Sequence, residues 1–269
     1  MSKRRDSSCI FCGKPAGSRE HALPLWLAEC MGREREPVLP AIFASSDGWH
    51  IQGNERAISN VVTKCVCHDC NTGWMCDLES EVKPILAPWI ANPPTPLTRA
   101  ALTIAPEQLH LVSRWMLKTA CCLREVAPRG KLEKLPTEAC QWAFEGILPT
   151  SCKSYAGWIA GSSCSFQISR GFPTLNGSVL PARQQHRQSF DVIMGLNHLA
   201  LRMVNAPDAE LSLMPVSNSH GQLCTPAFWC YPSQPPGTEI DSCVFDSTQD
   251  FIDACIVRPL PPNQVAQTQ

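Results

Sequence analysis

The sequence predicts an α+β protein: a small metal-stapled N-terminal unit, then a helix, then a mainly antiparallel α+β domain. Three observations predict it. Two C-x-x-C pairs lie within the first 70 residues, residues 106–126 carry an apolar stripe of helical period, and four later segments alternate with the period of strands.

The metal-stapled unit comes first. Cys9-Ile10-Phe11-Cys12 and Cys67-His68-Asp69-Cys70 each let one tight turn aim two thiolates at a single ion. Two such turns complete a tetrahedral S4 site, which suits Zn²⁺. Gly13 helps the chain fold back after the first turn. The site has no open position, so it is structural. The 54 residues between the pairs require an insertion that loops out, and Cys65 is an alternative ligand to Cys67. A thioredoxin-like redox pair is a competing reading, but its αβ context is missing here. Most of the other twelve of the sixteen cysteines read as small buried side chains.

The domain limits follow from proline. Asn92-Pro93-Pro94-Thr95-Pro96 cannot continue a helix, so 1–91 is expected as one domain and 92–99 as a connector. Residues 100–258 are expected as the α+β domain and 259–269 as a flexible tail. Within that domain, Leu109, Val112, Met116, Ala120 and Leu123 form the apolar stripe of a helix over 106–126. Arg114 and Lys118 flank the stripe one turn apart, so they belong to a solvated face or contact phosphate. Residues 136–147 read as a shorter helix opened by Pro136. Strand-like alternation marks 154–160, 165–169, 189–194 and 198–204, and the Pro- and aromatic-rich 224–237 reads as a loop. Trp26, Trp74, Trp89 and Trp115 stand beside apolar neighbours and are expected in the core.

Charge narrows the partner class. The net charge of −1 argues against a generic polyanion binder, but residues 1–202 hold 22 basic side chains against 17 acidic, and the remainder holds one against seven. A phosphate-contacting surface therefore belongs to the first three quarters of the chain. No apolar run reaches the ~18 residues that span a bilayer, and no apolar stretch follows the basic start, so no membrane partner and a cytoplasmic location are expected. Neither a Gly-x-Gly-x-x-Gly nor a Walker pattern occurs, so ATP use is not indicated.

Between the cysteine pairs stands Arg19-Glu20-His21-Ala22-Leu23-Pro24, and directly after them Asn71-Thr72-Gly73-Trp74-Met75-Cys76-Asp77-Leu78-Glu79. Alone, His21 reads as a structural histidine and Asn71 as a helix N-cap. Together, C-x-x-C, an acid-His pair, C-x-x-C-N and an acid eight residues on resemble the HNH (ββα-metal, His-Me finger) endonuclease family, in its zinc-knuckle-bearing branch. The resemblance covers roughly residues 7–90, about a third of the chain. It implies a β-hairpin followed by a helix, pinned together by the knuckle. It implies hydrolysis of DNA phosphodiester bonds, with RNA an alternative substrate, in the setting of phage defence or mobile elements.

The resemblance also assigns roles. His21 becomes the general base, because histidine exchanges a proton near neutral pH. Asn71 bonds the hairpin backbone and orients His21. Glu20 and Glu79 become oxygen ligands of a catalytic Mg²⁺ or Mn²⁺. The sequence departs from the family in the third position, usually His or Asn and here Glu79, and in the long gap between His21 and Asn71. His50 and His68 are spare metal-ligand candidates. The C-terminal domain is left with docking, ligand sensing or oligomerisation. The competing function is a non-catalytic zinc module that binds nucleic acid or protein.

Overall fold

The computed structural model describes residues 8–32, 37–38, 42–45, 48–51, 56–92, 106–126, 135–169, 187–207, 209–213, 216–220, 223–224, 227–230 and 244–259. In chain order, β1 (Ser18–His21) and α1 (Leu25–Met31) lead to β2 (Pro37–Val38), β3 (Ile42–Ser45), β4 (Gly48–Ile51), β5 (Arg56–Ala57) and β6 (Val62–Val66). Three helices follow: α2 (His68–Thr72), α3 (Trp74–Ala91) and α4 (Pro106–Val126), then α5 (Thr137–Glu145). The remainder is β7 (Cys152–Ser169), β8 (Phe190–Asn205), β9 (Ala209–Leu213), β10 (Val216–Ser217), β11 (Leu223–Cys224), β12 (Ala227–Cys230), β13 (Val244–Phe245), α6 (Thr248–Asp253) and β14 (Cys255–Pro259). The chain is thus α+β, and no helix among the described residues is long and apolar enough to cross a membrane.

Helix α4 forms where the apolar period placed it, and α3 shows the same period. In α3 the buried Met75, Leu78, Val82, Leu86 and Ile90 recur every three or four residues. Pro84 and Pro88 lie on its exposed face, where water can satisfy the carbonyls they leave unpaired. Helix α4 spans the expected 106–126 and buries Val112, Trp115, Met116, Leu117 and Ala120. Gly146, left-handed at φ 72°, ends α5 by donating to Trp142 O.

The strand pairs join up more than the sequence suggested. The segments 154–160 and 165–169 are one strand, β7, and 189–194 and 198–204 are one strand, β8. They run antiparallel, with a register break between Trp158 and Ser163. Along its other edge β7 pairs with β12 at residues 153–156, with β13 at 158–159 and with β3 at Gln167. Residues 227–230, expected within a loop, are therefore a strand, because β7 offers them an open edge. The inserted β3–β4 hairpin joins the same sheet.

The β7–β8 ribbon is folded over. Residues eleven apart on a straight strand lie about 36 Å apart. Yet Arg202 donates to both carboxylate oxygens of Asp191, at 3.1 and 2.7 Å, with both side chains fully buried. The bend falls at Asn197, left-handed at φ 59°, opposite the β7 register break. Asparagine tolerates that conformation better than most residues. Its Nδ2 donates to Ile90 O at 2.7 Å and so ties the corner to the end of α3. At β7, a Cβ on Gly157 would come within 3.0 Å of the Phe245 and Phe251 rings, so the close approach of that edge needs glycine.

One cluster of buried side chains runs from Cys9 through α1, α3 and α4 to Met203 on β8. The N-terminal hairpin and the long ribbon thus pack on the same apolar core. Residues 93–99 of the expected connector and 260–269 of the expected tail lie outside the described residues.

The Asp191–Arg202 pair gives a test of the folded-over ribbon. Asp191→Ala strands a buried guanidinium and is expected to cost on the order of 3–5 kcal/mol. Urea denaturation of the variant beside the parent measures it.

Candidate functional site

The four cysteines of the two C-x-x-C turns meet. Their Sγ atoms all lie within 4.8 Å of one another, and Cys12 Sγ stands 3.5 Å from Cys67 Sγ. Four sulfurs about 2.3 Å from a tetrahedral Zn²⁺ would stand roughly 3.8 Å apart, so the donor set fits that ion. Local backbone builds each turn. Cys9 N donates to Lys14 O and Gly13 N to Cys9 O, with Gly13 left-handed at φ 75°. Cys67 caps α2, its Sγ accepting from Cys70 N at 3.4 Å. The turns are joined by Ile10 N donating to Cys65 O and by an exposed Lys14–Asp69 ion pair at 2.7 Å. Such surface pairs contribute little.

The thiols are set unequally. Burial opposes ionisation of Cys9, but backbone N–H groups of Cys12, Cys67 and Phe11 outweigh it and bring the pKa down to about 7. Burial pushes the Cys70 thiol up, and its neighbours Cys12 and Cys67 add to the rise. Four thiolates at this spacing repel, and a divalent cation is the natural counter-charge. Cys65 takes no part in the cluster: it is buried beside Cys122, whose thiol bonds to it and lowers its pKa. His68 is exposed and outside the cluster, and the side chain of His50 lies outside the described residues.

Strands β1 and β6 pair antiparallel, His21 opposite Val62 and Glu20 opposite Thr63. The register slips between Ser18 and Glu20, where β6 carries an extra residue. Asn71 reaches this irregular point. Its Nδ2 donates to Ser18 Oγ at 2.8 Å and to Arg19 O at 3.0 Å. Asn71 therefore sits inside α2 and braces β1, while the N-cap role falls to Cys67. Two residues on from the braced carbonyl stands His21, partly exposed, with a buried Nδ1 that has no hydrogen-bond partner among the described residues. A covered donor or acceptor left unpaired costs about 1–3 kcal/mol and calls for an explanation.

Glu20 and Glu79 also converge, but on a lysine. Lys118 Nζ, from α4, lies 2.6 Å from Glu20 Oε1 and 2.5 Å from Glu79 Oε1. The lysine side chain is 0% exposed, that of Glu20 9% and that of Glu79 22%. Burial works against the ammonium, yet Cys122, Glu79 and Glu20 outweigh it and hold its pKa above the usual lysine value. Burial raises the Glu20 carboxyl above the usual range, although Lys118 pulls it back. The pair is thus already bound to a cation, so it does not fit as the ligand set of Mg²⁺ or Mn²⁺.

Lys118 is neither solvated nor set against phosphate. Sequence reasoning missed its role, yet a signal was there: it is the one charge in the run Trp115-Met116-Leu117-Lys118-Thr119-Ala120-Cys121-Cys122-Leu123. A lone ammonium in such a run is tolerated only with buried carboxylate partners. Arg114, one turn earlier, donates to Ala143 O and Phe144 O at 2.8 Å and stacks 5.0 Å above the Trp74 ring. It closes the end of α5 and holds Trp74, which also meets Phe11 of the knuckle edge-on at 5.1 Å. Trp26 and Trp115 are buried and Trp74 and Trp89 partly so, all packed in or against the core.

The chain matches no protein-family model, no curated protein and no solved structure.

Metal removal tests the cysteine cluster. Elemental analysis should find about one zinc per chain. Cys12→Ser or Cys67→Ser should release it and strip amide protection from residues 8–32 and 62–92, because metal-binding energy there is folding energy. A folded, reduced sample without zinc would overturn the assignment.

Proposed function

We propose that this chain is an endonuclease of the HNH type that hydrolyses DNA phosphodiester bonds, with His21 as general base. The observation that carries the proposal is the Asn71 brace: Nδ2 on Ser18 Oγ and Arg19 O holds the strand that ends in the partly exposed His21. A helix side chain fixing the hairpin strand beside the histidine is what the resemblance asks of this position.

In the proposed reaction His21 takes a proton from water as the water oxygen attacks phosphorus. A P–O bond forms to that oxygen, and the bond to the leaving oxygen breaks. The leaving oxygen takes a proton from solvent. The zinc knuckle contributes rigidity, holding β1, β6 and α2 in one unit. Basic side chains of the first 202 residues supply the attraction for the phosphate backbone. The C-terminal half, in this reading, docks substrate or a second copy of the chain.

One observation favours a second reading, a non-catalytic zinc module that binds nucleic acid or protein. Lys118 engages both carboxylates that the family pattern would give to a metal ion.

Plasmid cleavage separates the two. Supercoiled DNA is incubated with the zinc-loaded chain, with Mg²⁺, with Mn²⁺ and with neither. Loss of a general base typically costs 10²–10⁴ in rate, so His21→Ala should cut at least about a hundredfold more slowly than the parent. Equal cutting by both proteins removes His21 from the chemistry. No cutting under any condition, with a retained gel shift, favours the binding module.

A further inference from the structure

We infer that Lys118 is the resident cation of this site: its ammonium takes the place that the family resemblance gives to a divalent metal ion, and Glu20 and Glu79 bind no Mg²⁺ or Mn²⁺ while it is there. The inference uses the resemblance only to locate the ion. It holds whether or not the chain cuts DNA.

Three observations carry it. The first is distance: Nζ stands 2.6 and 2.5 Å from one oxygen of each carboxylate, close enough to donate a charge-assisted hydrogen bond to each. The second is confinement. Lys118 is 0% exposed, and Leu117, Cys121 and Cys122 on the same helix are buried as well, so the ammonium sits inside the core. An incoming Mg²⁺ would therefore face a fixed positive charge at bonding distance from its ligands. It would have to part with several waters as well, which it does reluctantly. The third is the ligand count. Among the described residues, the one group of three or more His, Cys, Asp and Glu side chains close enough to share an ion is the four-cysteine cluster. His21 does not complete a set with the two glutamates.

The charges also close better this way. Two carboxylates and one ammonium leave a single negative charge, and the more exposed Glu79 faces toward solvent. Adding a divalent ion without removing Lys118 would turn that into a net positive charge in a largely buried site. The lysine thus takes over part of what a metal ion would do for these glutamates. It neutralises them, and it locks β1, α3 and α4 together.

Manganese binding tests the inference in the zinc-loaded full chain, by the loss of the free Mn²⁺ electron paramagnetic resonance signal on titration. The parent is expected to bind no Mn²⁺ with a Kd below about 1 mM, the weak end of protein affinities. Lys118→Met keeps the apolar stem and removes the charge. It should gain one Mn²⁺ per chain, at least tenfold tighter than any uptake by the parent, and Glu79→Gln in the same background should abolish it. Parent protein that binds one Mn²⁺ and loses it in Glu79→Gln overturns the inference. So does a folded Lys118→Met that takes up none. Should Lys118→Met fail to fold, the parent and Glu79→Gln titrations decide alone. Uptake that Glu79→Gln leaves unchanged lies elsewhere and leaves the carboxylates with Lys118, as inferred. Cleavage of DNA is read separately, so either result can fail without the other.

Discussion

A buried ammonium needs anions within reach, and that requirement organises this molecule. Lys118 leaves water on an apolar helix, and Glu20 from the hairpin and Glu79 from the helix after it offset the loss. Three elements separated by tens of residues are thereby held at hydrogen-bond distance. The interaction is directional where the surrounding core is not.

The cysteine cluster imposes a second constraint on the hairpin. It joins a turn at residues 9–12 to one at 67–70, across an insertion whose strands pair with the distant β7. Tied both to the cluster and to Lys118, β1 and β6 have little freedom. The Asn71 brace acts between the two, at the point where the ladder slips and a carbonyl is left for a side chain to take. His21 stands at the end of this over-determined strand. A covered ring nitrogen without a partner is tolerated there because the neighbouring contacts fix the backbone.

The ribbon of β7 and β8 shows the same logic in the remainder of the chain. Its corner depends on Asn197, whose side chain binds α3 while its backbone turns left-handed. The fold-over is then locked by Arg202 and Asp191, and Arg202 also reaches Ile252 O in α6. The core inside joins the ribbon to the helices that carry Glu79 and Lys118. The candidate site is therefore supported by the C-terminal half as much as by the hairpin that contains it.

What the sequence determined alone was local. Helix α4 follows from its apolar period, each cysteine turn from thiols three apart, and the strand character of 154–160, 165–169, 189–194 and 198–204 from alternation. Each of these is decided by residues within a turn or two of one another. The rest was decided by tertiary structure. Alternation cannot tell two short strands from one that bends, since the bend is set by a left-handed residue and an ion pair across the fold. Residues 227–230 look like a loop until an unpaired edge of β7 is beside them. Glu20 and Glu79 were legible as a pair of carboxylates at one site, but not their partner. Lys118 lies 98 residues from Glu20, and only the packing of α4 against the hairpin brings its charge between them. A charge's role depends on which opposite charge it meets out of water, and that is a property of the fold.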